Sequence, residues 1–337
     1  MKAFFHPAQD LHIPKTFFSR GKMRQPQEVP ERAGRILDGL KALGVDVRQP
    51  IDHGAGPIAR IHDLGYLRFL ESAHRRWVEL DDWGDEVMSN IFVHHPNHMH
   101  GILAEAGRYM ADGSSPIGTN TWEAAYWSAQ SALSAADELL AGERIAYALC
   151  RPPGHHARRD ACGGFCYLNN AAIATQYMMT RFPRIAILDT DMHHGQGIQE
   201  IFYRRSDVLY ISIHGDTTNF YPGVTGSEDE RGEGEGYGYN INLPMPHGSS
   251  EEVFFGKLEE AMTAIRVYEP DVLVLPLGFD IYQDDIQHKV SVSTAGFHRL
   301  GSRIRRANLP MLVVQEGGYA LEALSGNVQQ YFKGLNG

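Results

Sequence analysis

Five short, continuous apolar runs, separated by stretches of helical character, constrain this chain more than any other feature. They are IAYALC (145–150), IAILD (185–189), VLYISI (208–213), VLVLPL (272–277) and MLVVQ (311–315). None has a polar face over most of its length, so each suits a strand buried on both sides. Between and beyond them, 169–181, 198–205, 250–268 and 294–307 carry helix-like spacing. That alternation predicts an α/β fold, a central parallel sheet with helices on both faces. With 337 residues, 43% of them hydrophobic, the chain can fill one large core, and we expect a single domain over 1–337.

The flanking segments add detail. Residues 2–6 read as a short strand. Over 28–43, Ile36, Leu37, Leu40 and Leu43 share one helical face, and Gly44 follows as a stop. The alanine-rich stretch 121–141 predicts a long helix capped by Thr121 or Asn120 and ended by Gly142. Residues 81–120 differ: DDWGDEVMSNIFVHHPNHMH and the later GSSPIGTNT are polar and irregular. We expect an excursion rather than core, of the length usually reserved for functional or interfacial loops. There is no internal repeat. The glutamates of RGEGEGYGYN (231–240) argue against a phosphate-binding loop.

Charge and cysteines narrow the function. The net charge of −10 argues against a nucleic-acid partner and suits a cationic one, although a merely soluble acidic protein would account for it more simply. Cys150, Cys162 and Cys166 are too few for a disulfide framework, so a reducing compartment is expected. The apolar start MKAFF breaks at His6 and Pro7, too short for a signal peptide, and no apolar run spans a membrane. The cytoplasm is the expected location.

In open α/β sheets, ligands sit beyond the carboxyl ends of the strands. After IAILD come Asp191 and His193. If the strand continues, Asp189, Asp191 and His193 project to one side, which is a metal-ligand pattern. Asp280, after VLVLPLGF, supplies a further oxygen donor. Asp191, His193 and Asp280 leave a fourth corner open, as in catalytic zinc sites; Fe2+, Co2+ or Mn2+ would accept the same donors. Asp284 and Asp285 read as loop carboxylates. His155 and His156, held by a Pro-Pro-Gly turn, suit proton transfer. In Glu316-Gly317-Gly318-Tyr319 the paired glycines let the backbone approach a site, and Tyr319 offers a hydroxyl. Cys162 and Cys166 read as small buried residues. His94, His95, His98 and His100 read as surface groups, and the third glycine of a dinucleotide loop is missing after His194.

Taken together, RPPGHHA (151–157), GGFCYLNNAAIA (163–174), LDTDMHHGQG (188–197), SIHGD (212–216), GFD (278–280) and EGGY (316–319) resemble the zinc-dependent histone deacetylase superfamily, in its acetylpolyamine amidohydrolase branch. The resemblance spans about residues 1–335 and implies an arginase/deacetylase fold. It implies zinc on Asp191, His193 and Asp280, His156 as general base and acid, and His155 as electrostatic partner oriented by Asp189. Tyr319 would donate to the amide oxygen. Phe165 and Tyr221, with Gly164 between the motif's glycine and aromatic, match the walls of a narrow substrate channel. A structural K+ is implied at Asp189, Asp191, Ser212 and the carbonyls of His193 and Ile213. The 81–120 segment resembles an insertion that builds a homodimer and narrows the channel, and Glu105 matches an acidic position that binds the amine. Phe17, Gly113 and Ser114 stand near other positions where that branch is acidic.

Two departures stand out. Gln196 replaces the Asp or Asn that usually partners His156, and Asp284-Asp285-Ile286 replaces a Gly-Asp-Pro. The expected activity is removal of acetyl groups from acetylated polyamines or small diamines. The alternatives are a lysine deacetylase of proteins or peptides and a catalytically weak acyl-amine sensor. A two-manganese ureohydrolase would need D-x-H-x-D where this chain reads D-x-D-x-H.

Overall fold

The computed structural model describes residues 1–93 and 99–337. Its centre is an eight-stranded sheet. In chain order the strands are β1 (Lys2–Phe4), β2 (Asp46–Arg48), β3 (Ile145–Ala148), β4 (Ile185–Asp189), β5 (Val208–Gly215), β6 (Asn240–Met245), β7 (Val272–Leu277) and β8 (Met311–Gln315). They lie in the order β2-β1-β3-β8-β7-β4-β5-β6, and every pairing is parallel. All five apolar runs are strands. The two edge strands carry no such signal, because β2 is exposed throughout and β6 mixes polar with apolar residues.

Strand residues alternate between two cores, as the period of two requires. Ile185, Ile187, Val272, Val274, Leu312 and Val314 face one layer of helices, which includes Leu64–Trp77, Thr121–Leu140 and Asn170–Met178. Ala186, Leu188, Leu273, Leu275 and Val313 face the other, which includes Glu31–Ala42, Glu251–Tyr268, Thr294–Arg305 and Leu321–Asn336. The first helix starts at Glu31 rather than at 28. Glu28 instead lies buried against the Arg32 guanidinium, 2.8 Å away, and Arg151, 3.0 Å away.

The 81–120 stretch corrects the expectation of an excursion outside the core. Val87 and Ile117 exchange backbone hydrogen bonds of 2.9 and 3.1 Å, and both are buried. Gly101–Tyr109 forms a helix that buries Ile102 and Ala106. An amphipathic helix this short shows too few turns to stand out from a polar background. His94, His95 and His98 lie outside the described residues; His100 is exposed just before that helix.

Four neighbouring strands, β3, β8, β7 and β4, fill the middle of the sheet. The chain reaches them out of sequence: it runs outward from β4 through β6, then returns to lay down β7 and β8. The loops after these four strands carry His155 and His156, Glu316–Tyr319, Asp280, and Asp191 with His193. The topology therefore delivers them to one edge.

Candidate active site

Strand β4 stops at Asp189, so the three-residue alternation expected beyond it does not continue as a strand. Instead each aspartate folds the backbone. Asp189 Oδ1 accepts from the Asp191 amide at 3.1 Å, and Asp191 Oδ1 accepts from the His193 amide at 2.9 Å, as in Asx turns. The turn aims His193 Nδ1 at Asp191 Oδ1, 3.2 Å away, and at Asp280 Oδ2, 3.1 Å away. Asp191, His193 and Asp280 each offer one ligand atom, all within 4.8 Å of one another. Asp280 is held by the Met192 amide at 3.0 Å and Asp191 by the Gly317 amide at 2.8 Å. A Cβ on Gly317 would sit 2.6 Å from Asp191 Oδ2 and 2.7 Å from Asp280 Oδ2, so only glycine lets that amide come so close.

Burial, and then the charge on Asp191, push the Asp280 carboxyl well above its ordinary value. Two carboxylates and an imidazole packed together out of water fit a divalent cation, which would neutralise the repulsion. A second group, His155, Cys166 and Glu316, also lies within 4.8 Å, but it offers a buried thiol and a ring turned to Asp189, with Glu316 Oε1 as its one unpartnered carboxylate oxygen. Burial holds the Cys166 thiol well above its ordinary pKa, and Glu316 Oε2 is taken by the amides of Gly154 and His155 at 2.7 and 3.1 Å.

The paired histidines diverge. His155 Nδ1 lies 3.0 Å from Asp189 Oδ2. Burial penalises its charge, but Asp191, Asp189 and Glu316 outweigh that and push its pKa up to about 10. For His156, burial and the neighbouring His155 and His193 act in the same direction and hold it well below its ordinary value. His156 Nδ1 is 2.6 Å from Gln196 Oε1, which leaves Nε2 toward a cavity of about 730 Å³.

That cavity is lined by His156, His193, Gly164, Phe165, Tyr221 and Tyr319, with Phe17, Phe92 and Phe220 among the further walls. Phe165 has a left-handed backbone (φ 68°) and meets Phe17 edge-on, with ring centroids 5.1 Å apart. Strain of that kind persists only where packing enforces it. Gly164 backs His156: a Cβ there would meet the imidazole Cδ2 at 2.4 Å. Burial holds the Tyr319 hydroxyl well above its ordinary pKa, so it stays a proton donor.

Glu105 is a correction. It forms a two-pronged pair with Arg76, 2.7 and 2.6 Å, and is absent from the cavity wall. The helix Gly101–Tyr109 packs on Leu64–Trp77, so the carboxylate meets that arginine rather than a substrate. Phe17, Gly113 and Ser114 do line the cavity, and Arg20 and Arg24 join them at its mouth. Asp112 is the one carboxylate among the described lining residues.

Asp285 is a second correction. Far from being a plain loop residue, it is buried and accepts from the amides of Tyr319 at 2.6 Å and Ala320 at 2.8 Å. Its Oδ1 also holds the Gln287 amide at 2.9 Å, a local turn contact, but the two partners that tie it to the Tyr319 loop lie 34 and 35 positions away. Asp285→Ala frees three amides, those of Tyr319, Ala320 and Gln287, a loss of about 1–3 kcal/mol for each that stays buried. The expected result is a fall in turnover of about tenfold or more with metal content unchanged, measured by kinetics and metal analysis on one sample; unaltered turnover would separate Asp285 from the Tyr319 loop.

Both the sequence and the fold have known relatives. Residues 26–335 match the model of the histone deacetylase domain. The chain belongs to the histone deacetylase family. It is therefore a hydrolase acting on amide bonds. Among its relatives, the acetylpolyamine amidohydrolase of Burkholderia pseudomallei is 62% identical over 336 residues, covering 99% of this chain and 98% of that one. Acetylpolyamine amidohydrolase 1 of Pseudomonas aeruginosa is 43% identical over 334 residues, covering 97% and 96%. A crystal structure of the acetylpolyamine aminohydrolase from Burkholderia pseudomallei superposes with a TM-score of 0.99 at 61% identity, covering 100% of this chain and 98% of that one. The family's central sheet and flanking helices are those described above.

Proposed function

We propose that this deacetylase-family chain removes acetyl groups from acetylated polyamines or small diamines, using a divalent cation, zinc first, held by Asp191, His193 and Asp280. The observation that carries the reading is that His193, the nitrogen donor of this oxygen–nitrogen–oxygen group, and His156, with one free ring nitrogen, line the same aromatic-walled cavity, with Asp191 and Asp280 buried directly behind His193. When bound, the cation supplies Lewis acidity, polarising a carbonyl and bringing the pKa of water from 15.7 to about 7. His156 Nε2 takes the proton from the attacking water and returns it to the departing amine nitrogen. His155, kept charged by Asp189 and Asp191, offsets negative charge beside it. The Tyr319 hydroxyl donates to the amide oxygen as it becomes an oxyanion. Phe165 and Tyr221 pass a slender chain and exclude a bulky one.

A structural K+ at Asp189, Asp191, Ser212 and the carbonyls of His193 and Ile213 belongs to the same reading. The register that sets Asp189 beside Ser212 supports it. A homodimer built on the 81–120 insertion of a single catalytic domain also belongs to this reading, and the exposed apolar Trp83, Ile91, Phe92 and Met99 support it. Three unpaired buried cysteines fit a cytoplasmic enzyme.

Substrate choice rests on the relatives' names and on the aromatic walls, whose faces attract a cation. The arginines at the mouth favour a second reading, a lysine deacetylase of peptides, since they would repel a polyamine. Steady-state comparison of acetylputrescine and acetylcadaverine with acetyl-lysine peptides decides between them. Faster peptide turnover would overturn the polyamine reading. Tyr319→Phe is expected to lose about 2.7–4 kcal/mol of transition-state stabilisation, read as kcat, while metal stays bound.

A further inference from the structure

The task given to His156 depends on which ring nitrogen carries the proton. Only with the proton on Nδ1 is Nε2 free to accept one. An aspartate partner would settle this, because an ionised carboxylate only accepts. Gln196 can present either end of its amide. Turned with its NH2 toward Nδ1, it would force the proton onto Nε2 and disable the ring.

The structure continues past Gln196. Its Nε2 donates to the Tyr221 hydroxyl oxygen at 3.2 Å, and that hydroxyl donates to Asp112 Oδ2 at 2.7 Å. Asp112 Oδ2 also accepts from the Gly164 amide at 3.2 Å. Its Oδ1 accepts from the amide and hydroxyl of Ser114 at 2.7 and 2.5 Å. Four donors fill the roughly four lone-pair sites of a carboxylate. Asp112 thus has no capacity left for a substrate ammonium, although it lines the cavity.

The direction of every proton follows from that acceptor-only end. Tyr221 has one proton, and it goes to Asp112. Its oxygen is left to accept, so Gln196 must turn its NH2 toward Tyr221 and its carbonyl toward His156. Burial and then the charge of Asp112 hold the Tyr221 hydroxyl well above its ordinary pKa, so the chain of hydrogen bonds stays intact at working pH.

We propose that Asp112 is a positioning residue: acting through Tyr221 and Gln196, it holds His156 in the tautomer whose Nε2 can accept a proton. This rests on the amidohydrolase reading above. A neutral glutamine in the partner position needs a remote carboxylate to orient it, and Tyr221 with Asp112 supplies one.

The test measures kcat and KM with an acetylated monoamine, which carries no second ammonium, and with an acetylated diamine. Asp112→Asn and Tyr221→Phe are each expected to lower kcat about tenfold on both substrates, part of the roughly 10²–10⁴ that proton transfer contributes. KM should move less than about twofold, and the double variant should be no worse than the singles, because both cut one chain of hydrogen bonds. Gln196→Glu restores an acceptor-only partner, so adding Asp112→Asn to it should change kcat less than about twofold. A merely structural role for Asp112 would not be rescued this way. Three results overturn the proposal: a loss confined to KM for the diamine, the same kcat loss in the Gln196→Glu background, or unchanged kcat in the single variants. Wild-type turnover in the same assay separates the two readings, since an active wild type with indifferent variants sinks the positioning role alone.

Discussion

Asp280→Ala should be a folded protein that no longer retains its metal and hydrolyses acetamides about 10³-fold more slowly, or worse. That magnitude follows from the several kcal/mol of charge stabilisation a catalytic cation contributes, at about 1.36 kcal/mol per tenfold. Asp280 sits at the mouth of the loop after β7, accepting from the Met192 amide and facing His193. Removing it leaves two donors, too few to hold a cation against water. A second readout needs no turnover. A ligand present at about a thousand times its Kd stabilises the folded state by about 4.1 kcal/mol. A chelator should therefore lower the melting temperature of the wild type and leave that of Asp280→Ala where it was. Equal responses to chelator, or full metal content in the variant, would remove Asp280 from the ligand set.

His156→Ala is expected to reduce kcat by about 10²–10⁴, the usual contribution of a positioned acid–base group, with metal still bound. The reason lies in the split between adjacent rings. His155 is held at about 10 by Asp191, Asp189 and Glu316 against the cost of burial, whereas burial and two neighbouring imidazoles keep His156 neutral. Groups whose environments push them apart in this way divide acid and base roles. The neutral ring faces the cavity and can take a proton; the charged one faces Asp189 and cannot. Substrate KM should change little, because His156 acts on the reacting atoms rather than on the amine chain. A variant that keeps both wild-type kcat and its metal would show that the proton travels by another group.

Both of these outcomes concern residues that are legible in the sequence alone. Asp191 and His193 stand out because local order, a buried strand ending in alternating polar residues, places them. Asp280 stands out because it ends a neighbouring run. The motif GGFCY marks Phe165 and its glycines, and the structure places Gly164 against His156 and Phe165 against Tyr319. The misreadings are of the opposite kind. Glu105 resembles a substrate contact by its sequence position, and Arg76, 29 residues away, takes its carboxylate instead. Asp285 resembles ordinary loop polarity, because two of the three amides it holds belong to the distant Tyr319 and Ala320.

By itself, the sequence determined the parallel sheet, the two helical layers and the residue types at each strand end, since periodicity and strand termini are properties of neighbouring residues. Only the tertiary structure decided which of those ends meet. The return of the chain to lay β7 and β8 between β3 and β4 brings four loops to one edge, and no local pattern encodes that order. It alone also decided the line from Asp112 through Tyr221 and Gln196 to His156, which joins residues 109, 25 and 40 positions apart. A hydrogen bond depends on distance and direction in space, and a sequence specifies those only through the packing of the whole chain.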